Sequence, residues 1–140
     1  MFVFPRLQGK ISNLLFDSDG RALSALIEFG SCKFNLVKVY APNTVTGRKV
    51  FFQSLHQYFL SPCHIIAEDF NCVDNKLDCL HILNDSLLHK SIFRRLLLDC
   101  SLIDVWCKQH PWGTLYTWAN AIYSQASRLH RFLVSGSFER

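Results

Sequence analysis

The feature that most constrains the fold is segment 64–71, where a short apolar run ends abruptly in polar side chains. After Ile65, Ile66 and Ala67 the chain reads Glu-Asp-Phe-Asn, which adds two carboxylates, an aromatic ring and an amide. A buried strand has this pattern where it delivers side chains to the edge of a sheet, and sites in open α/β sheets lie at such strand ends. We therefore expect residues 63–68 to form a central strand whose polar end lies in a site.

The chain before this strand has the pattern of an antiparallel meander. Residues 11–16 are mostly apolar and run into Asp-Ser-Asp-Gly at 17–20, a strong turn signal. Apolar and polar residues alternate over 23–29, which is typical of a half-buried strand. The two residues 30–31 are a hairpin-type link to another strand at 34–40. Three consecutive, antiparallel strands are therefore predicted.

A change of period between residues 47 and 60 predicts an amphipathic helix. Its apolar face is formed by Phe51, Leu55, Tyr58 and Phe59, which are spaced at i, i+4, i+7 and i+8. A helix between strands 34–40 and 63–68 implies a right-handed crossover and a parallel pairing of these two strands. The sheet is thus expected to be mixed, in a layered α/β or α+β fold.

The second half of the chain is predicted to contain more helix and loop. Residues 74–85 are polar and irregular, and a second helix is expected at 88–99. An apolar turn or short helix follows at 102–106. Residues 116–118 and 128–135 have the pattern of two short strands joined by a loop. We expect helices on both faces of one sheet.

The composition favours one folded domain inside the cell. With 140 residues, 49% hydrophobic and 19% charged, the chain can bury one core, and 12 Phe indicate an aromatic one. No signal peptide or membrane span is recognisable. Six Cys without a CxxC pair predict reduced, buried thiols in a nuclear or cytoplasmic protein that is not secreted. The net charge of +4 permits a phosphate-bearing partner without forming a basic nucleic-acid arm.

Three polar clusters are candidates for chemistry. An Asp and an Asn two residues apart at a strand end can share one water, because the carboxylate accepts its proton and the neutral amide holds it without repulsion. Each cluster also has an ordinary explanation, as a loop start, a turn with a capping Asn, or a strand with polar surface residues. The clusters are Asp69 with Asn71, Tyr40 with Asn43, and Ser127-Arg128-Leu129-His130-Arg131.

In their order along the chain these segments resemble the exonuclease–endonuclease–phosphatase family. The resemblance is carried by Val-Tyr-Ala-Pro-Asn at 39–43, Glu-Asp-Phe-Asn at 68–71, Tyr-Thr-Trp at 116–118 and Ser-Arg-Leu-His at 127–130. Within the family the chain is most similar to the apurinic-type endonuclease domains of LINE-type retrotransposons, with which the segment 102–111 also agrees. The resemblance runs from about residue 11 to the C-terminus, and its specificity comes from the ordered set.

The resemblance implies a DNase-I-like two-sheet α/β sandwich with mixed sheets and flanking helices, and Mg²⁺-dependent hydrolysis of a DNA phosphodiester. In the family, the strand-end Asp and Asn activate and orient the attacking water, and the Tyr and Asn of the earlier motif contact the scissile phosphate. The Thr-Trp region and the Arg of the last motif line the DNA groove. The implied catalytic residues are Asp69, Asn71 and Tyr40, and the implied substrate-binding residues are Asn43, Trp118, Arg128 and His130.

The chain departs from the family pattern at four points. Glu68 stands where the family has Gly, and His130 stands where it has Asp. The early metal-binding Asn and Glu and the closing Ser-Asp-His motif have no counterpart within residues 1–140. We therefore expect a single truncated domain that lacks the N- and C-terminal strands of the family, exposes an apolar sheet face or edge, and has no metal ligands of its own.

The resulting prediction is a fragment of a retrotransposon-type DNA endonuclease domain without catalytic turnover. Groups that act as a unit in catalysis are missing together, Mg²⁺ binding is expected to be poor, and DNA contact weak or vestigial. One alternative is an active Mg²⁺-dependent nuclease, and another is an unrelated α/β domain. A third is a nucleic-acid-binding module without catalysis, whose phosphate-contacting face would consist of Lys90, Arg94, Arg95, Arg128 and Arg131.

Overall fold

A computed structural model of the chain describes residues 10–80 and 87–136, and its centre is a mixed six-stranded sheet. The strands are β1 (Ile11–Phe16), β2 (Ala22–Phe29), β3 (Cys32–Tyr40), β4 (His64–Asp69), β5 (Leu102–Asp104), β6 (Trp118–Ala119), β7 (Ala126–Ser127) and β8 (His130–Ser135). The helices are α1 (Val45–Ser54), α2 (Leu87–Asp99) and α3 (Val105–Gln109), with 3₁₀ turns at Leu55–Tyr58 and Lys76–Asp78. The sheet order is β1-β2-β3-β4-β8-β5, and β6 and β7 form a separate ribbon.

The predicted meander is confirmed, since β1, β2 and β3 pair in sequence and antiparallel. Gly20 closes the first turn with φ of +69°, and Gly30 opens the second link with φ of +58°. Both values lie in the left-handed region, which glycine enters without a steric penalty. The turn chemistry therefore sets the register that the alternation of apolar residues requires.

The predicted crossover is also confirmed, because β3 and β4 are parallel neighbours and α1 lies between them in the chain. The helix begins earlier than predicted, where the Thr44 side chain accepts a hydrogen bond from the N–H of Gly47. It ends at Ser54, and the 3₁₀ turn Leu55–Tyr58 follows. The single helix predicted over 47–60 is thus two helical pieces of different pitch.

The core lies between the sheet and the two longer helices, and it is aromatic as predicted. The rings of Phe52, Phe70 and Phe93 form a triangle with centroid distances of 6.3, 5.9 and 5.5 Å. Val37, Val39, Ile66 and Leu133 belong to the same core and are fully buried on the sheet side. Because α1 and α2 both supply this core, the prediction of helices on both faces of the sheet is wrong for the long helices.

The opposite side of the sheet, which we call the open face, is largely apolar. Side chains alternate along a strand, so neighbours of the core residues Val39 and Ile66 point to this side. Ile65 and Val134 are half-buried there, whereas Phe16 and Phe132 are 67% and 64% exposed. The expected exposure of an apolar sheet face is therefore observed.

The last third of the chain differs from the prediction in two places. Residues 102–104 are a strand, β5, and α3 begins directly after it. Where two short strands were predicted, at 116–118 and 128–135, the chain forms three: β6 pairs with β7, and β8 joins the main sheet between β4 and β5. Arg128 lies outside β8 because its N–H donates to the carbonyl of Asp78.

The cysteines and the helices were also the subject of predictions from the sequence. All six cysteines are free of disulfides, yet only Cys72 is buried and Cys32 is exposed, so the prediction of buried thiols holds for one of them. Among the described residues, none of the helices combines the length and the apolar character that crossing a bilayer requires.

Candidate active site

Three of the predicted site residues lie in one row across adjacent strands. Tyr40 on β3 is the register partner of Asp69 on β4, and Asp69 is the partner of His130 on β8. Their core-facing neighbours place all three on the open face. The ends of three strands that are far apart in the sequence thus bring a phenol, a carboxylate and an imidazole together. We call these three residues the strand-end row.

Asn71 joins this row to the segment after β3. Its Nδ2 donates to the carbonyl of Ala41 at 2.7 Å, and its N–H donates to Oδ1 of Asp69 at 2.8 Å. Its φ of +48° is left-handed, a conformation that Asn adopts more readily than most residues. Oδ2 of Asp69 and Oδ1 of Asn71 have no partner among the described residues, so one carboxylate oxygen and one amide oxygen are available to a water.

Asn43 is held beside this segment by a residue that sequence reasoning missed. The Nη1 of Arg48, a buried side chain on α1, donates to the carbonyls of Pro42 and Asn43 at 3.2 and 2.8 Å. Asn43 itself is exposed. The only sequence signal for this contact is an arginine in the first turns of a helix that begins just after Asn43.

Trp118 lies near the row because the residue before it, Thr117, is hydrogen-bonded to the backbone at His130. The hydroxyl oxygen of Thr117 accepts hydrogen bonds from the N–H groups of Leu129 and His130 at 2.9 and 3.0 Å. Trp118 begins the β6–β7 ribbon and is exposed. The Thr-Trp segment is therefore tied to the start of β8, with its indole on the surface.

The structure places Arg128 in the interior and corrects its predicted position along a DNA groove. Its side chain is 1% exposed, its Nε donates to Asp78 at 2.8 Å, and its Nη1 and Nη2 donate to Asp104 at 3.2 and 2.9 Å. A guanidinium that is buried and paired on both sides offers no donor to a surface phosphate. This residue is part of the packing of the fold.

Arg131 completes a buried charge cluster, which we define as Arg128, Arg131, Asp78 and Asp104. Arg131 donates to both carboxylates at 2.9 Å and to the carbonyl of Cys72 at 3.2 Å. Two positive and two negative groups thus neutralise one another beneath the sheet. The only signal for it in the sequence was the acidic residue 104 within an apolar run, because a carboxylate in such a run needs a buried partner.

Burial and pairing shift the pKa values of the two aspartates of this cluster in opposite directions. Burial alone would raise the pKa of Asp78, but attraction and hydrogen bonds from Arg131 and Arg128 lower this pKa below its ordinary value. The pKa of Asp104 is lowered in the same way, mainly by Arg128. Beside the cluster, burial and the negative charge of Asp104 raise the pKa of the Cys107 thiol to about 11.

Glu68, which precedes the row residue of β4, has an unusual backbone. Its φ of +98° lies in a region that residues with a side chain rarely adopt. Its carboxylate forms an ion pair with Nζ of Lys38 at 3.2 Å. Both side chains line an open cavity of about 500 Å³ together with Arg21 and Tyr40.

The donors near the row do not amount to a magnesium site. Magnesium prefers several oxygen ligands in octahedral geometry. Of the two carboxylates at the end of β4, Asp69 has one free oxygen, and Glu68 is paired with a lysine. Among the described residues no group of three or more His, Cys, Asp or Glu side chains could hold a metal ion. The residues present therefore do not fit the Mg²⁺ that the resemblance implies.

Comparison with known proteins places the chain near transposon-encoded proteins in sequence. No family model matches it. It is 30% identical over 122 residues to the transposon TX1 uncharacterized 149 kDa protein of Xenopus laevis, a match that covers 83% of this chain. The chain spans only 9% of that protein's length.

Three solved structures share the fold at low identity. The AP endonuclease LMAP of Leishmania major has a TM-score of 0.70 at 19% identity, with 86% of this chain and 47% of that chain covered. The endonuclease domain of TRAS1, a telomere-specific non-LTR retrotransposon, has a TM-score of 0.62 at 11% identity, with 89% and 56% covered. A humanized D. rerio TDP2 with 14 mutations has a TM-score of 0.55 at 16% identity, with 90% and 51% covered.

The chain thus spans about half of each of these solved structures and is covered almost entirely by them. Its mixed sheet with a small second ribbon agrees with their DNase-I-like fold. The resemblance to the exonuclease–endonuclease–phosphatase family is thereby confirmed at the level of the fold. The sequence match to a transposon-encoded protein is consistent with the retrotransposon branch of that family.

Proposed function

We propose that this chain is part of a retrotransposon-type DNA endonuclease domain and that it does not cleave DNA by itself. The observation that supports the endonuclease half of the proposal is the strand-end row, in which Tyr40, Asp69 and His130 are register partners on one face. The chain spans about half the length of each of these solved structures, so the activity of the whole domain is a proposal for this chain.

The groups of the row have distinct chemical capacities. The free Oδ2 of Asp69 can accept a proton from water, and Oδ1 of Asn71 can orient that water by accepting its other hydrogen. The hydroxyl of Tyr40, which is 48% exposed and has no partner among the described residues, can donate to a phosphoryl oxygen. Together these groups can hold a phosphodiester and a water next to each other.

The groups that surround Asp69 do not favour turnover. The partner of Asp69 across the sheet is His130, an imidazole where the resemblance implies a carboxylate. The second carboxylate at the strand end belongs to Glu68, which is paired with Lys38. Among the described residues no group of acidic side chains could hold a metal ion to stabilise the negative charge that develops on the phosphoryl oxygens, and stabilisation of such charge is usually the largest catalytic term.

Nicking of supercoiled plasmid in the presence of Mg²⁺ tests the proposal. We expect no nicking above the level of an Asp69→Ala variant. Asp99→Ala, which removes a carboxylate at the far end of α2, is the matched control for traces of contaminating nuclease. Nicking that disappears in Asp69→Ala and persists in Asp99→Ala would show an active nuclease and refute the inactive assignment.

The alternative of a binding module on a basic helical face receives little support from the positions of its five cations. Arg128 and Arg131 are buried. Arg94 and Arg95 are exposed, but each is paired, with Asp74 and Asp99. The side chain of Lys90 lies outside the described residues. If this face nevertheless binds DNA, replacing both Arg94 and Arg95 by Gln will weaken binding, whereas the strand-end row predicts no change.

A further inference from the structure

We propose that Glu68 restrains nucleic-acid binding at the strand-end row by pairing with Lys38, the phosphate-contacting cation next to the row. This inference rests on the proposed function, because it assumes that the row faces a nucleic-acid phosphate. It adds two residues, Lys38 and Glu68, as determinants of affinity.

Lys38 is well placed for this contact. It lies two residues before Tyr40 on β3, so its side chain is on the same open face. With Arg21 it supplies the positive charge of the 500 Å³ cavity that Tyr40 also lines. Arg21 is itself close to Tyr40, with its guanidinium carbon 5.7 Å from the ring centroid. A phosphate held by the Tyr40 hydroxyl would therefore have two cations on the β2–β3 side of it.

The backbone of Glu68 explains why its carboxylate meets Lys38. Strand alternation would direct residue 68 to the same side as the core residue Ile66. The φ of +98° breaks this alternation, and the side chain instead reaches the open face, where it is 47% exposed and 3.2 Å from Nζ of Lys38. The strained conformation thus places a negative charge beside Asp69 and on the cation next to the row.

The ion pair is weak enough for a phosphate to replace it, yet the Glu68 carboxylate still lowers the affinity for that phosphate. Pairs between exposed side chains contribute little in water, so a phosphate can displace the carboxylate from Lys38. The displaced carboxylate then repels the phosphate from nearby. Each phosphate that a lysine neutralises steepens the dependence of log K on log salt by about 0.7–0.9. Removing the charge of Glu68 should therefore add about one such contact.

Fluorescence anisotropy with a labelled oligonucleotide, at several salt concentrations, measures both affinity and salt slope. We expect Glu68→Gln to bind about three- to tenfold more tightly than the unaltered chain at low salt, with a slope steeper by about one contact. Lys38→Gln alone should weaken binding, because it leaves the Glu68 carboxylate unpaired beside the phosphate, and adding Lys38→Gln to Glu68→Gln should abolish the gain. Gln keeps the size of Glu and the strained backbone, so only the charge changes.

A matched control lies at the other end of the same sheet. Glu28 pairs with Lys33 at 2.8 Å and similar exposure, at a distance of about 16 Å along β3 from Lys38. Glu28→Gln removes the same charge from the same kind of pair. An equal gain in this variant would mean that net charge alone acts, and this would overturn the proposal. Thermal melts establish that each variant is folded.

The remaining outcomes separate this inference from the proposed function. Binding that Tyr40→Ala weakens but Glu68→Gln leaves unchanged overturns the role of Glu68 and leaves DNA contact at the row intact. A gain that survives Lys38→Gln in the Glu68→Gln background overturns the role of Lys38. If neither the unaltered chain nor Glu68→Gln binds at the lowest salt, both the inference and DNA contact at the row fail.

Discussion

His130 and Arg131 are neighbours on β8, yet they serve two regions of opposite character. The side chain of Arg131 enters the buried charge cluster, where both its Nη atoms are paired with carboxylates. His130 faces the other way, into the strand-end row. In the cluster the charges of two arginines and two aspartates satisfy one another, whereas in the row the Tyr40 hydroxyl and Oδ2 of Asp69 have no partner within residues 10–80 and 87–136.

This difference separates a structural from a functional use of polar residues. A buried charge must be neutralised within the protein, so the cluster has nothing left to offer a ligand. Free donors and acceptors at the surface cost little, because water satisfies them until a ligand arrives. A polar motif in a sequence does not distinguish these cases, as Arg128 shows. Substitutions in the cluster should therefore change stability, and substitutions in the row should change binding.

The largest effect is expected for Arg131→Met, which removes one cation from the cluster while keeping most of the side-chain volume. Asp78 and Asp104 would then share Arg128 alone, and breaking a buried pair costs about 3–5 kcal/mol. The Nε of Arg131 is buried and has no hydrogen-bond partner among the residues that the structure describes, which favours the lower end of that range. Urea unfolding followed by circular dichroism measures the loss.

Arg94→Met is the matched control, because Arg94 forms a comparable pair with Asp74 at the surface. This variant should lose at most about 1 kcal/mol. If the two variants lost the same free energy of unfolding, burial would not determine what an ion pair contributes, and the buried cluster would not differ from a surface pair.

The cluster also predicts how stability depends on acid. Because the pKa values of Asp78 and Asp104 are lowered in the folded chain, both bind protons more weakly than in the unfolded chain. Their stabilisation is complete above the ordinary pKa of about 3.9 and is lost as the pH falls through the folded values. The free energy of unfolding should fall by up to about 2.7 kcal/mol per pH unit while both titrate. Urea unfolding at several pH values from about 2 to 5 measures this slope.

In Arg131→Met the acid slope should be smaller, since one of the cations that lower these pKa values is gone. A slope unchanged by the substitution would mean that other carboxyl groups govern the acid response, and the cluster would not be the main charge-dependent element of stability.

A smaller effect of the opposite sign is expected for Glu68→Gly. A residue with a side chain held at a φ of +98° costs about 1–3 kcal/mol, and glycine avoids this cost. The exposed pair with Lys38 and the greater freedom of glycine in the unfolded chain offset part of the gain. We expect a net gain of about 1 kcal/mol in urea unfolding. Glu68→Ala loses the pair but keeps the strain, so any gain in that variant would contradict this explanation.

The fold could be predicted from the sequence wherever the signals are local. Alternation and turn residues over 11–40 determine three strands, and the change of period after Pro42 identifies the crossover helix. The insertion of β8 between β4 and β5 has no such signal. It depends on pairing between segments about 65 residues apart for β4 and about 30 for β5, which only the three-dimensional structure reveals.

The site was predictable in its position and less so in its composition. The ordered motifs indicated Tyr40, Asp69 and His130, which the structure brings into one row, although their roles remain predictions. Arg128 was misplaced because its partner Asp78 lies 50 residues earlier, in a stretch that was expected to be loop. A burial partner at that separation leaves no periodic trace in the sequence.

The smallest effect on stability is expected in the strand-end row itself. Tyr40 and His130 are exposed, and neither side chain donates or accepts a hydrogen bond within the described part of the chain. Tyr40→Phe and His130→Ala should therefore change the free energy of unfolding by no more than about 0.5 kcal/mol. Under the proposed function Tyr40→Phe should still weaken oligonucleotide binding, because the hydroxyl is the phosphate donor. A stability loss comparable to that of Arg131→Met in either variant would make the row a second structural cluster, and the distinction between the two faces of β8 would be lost.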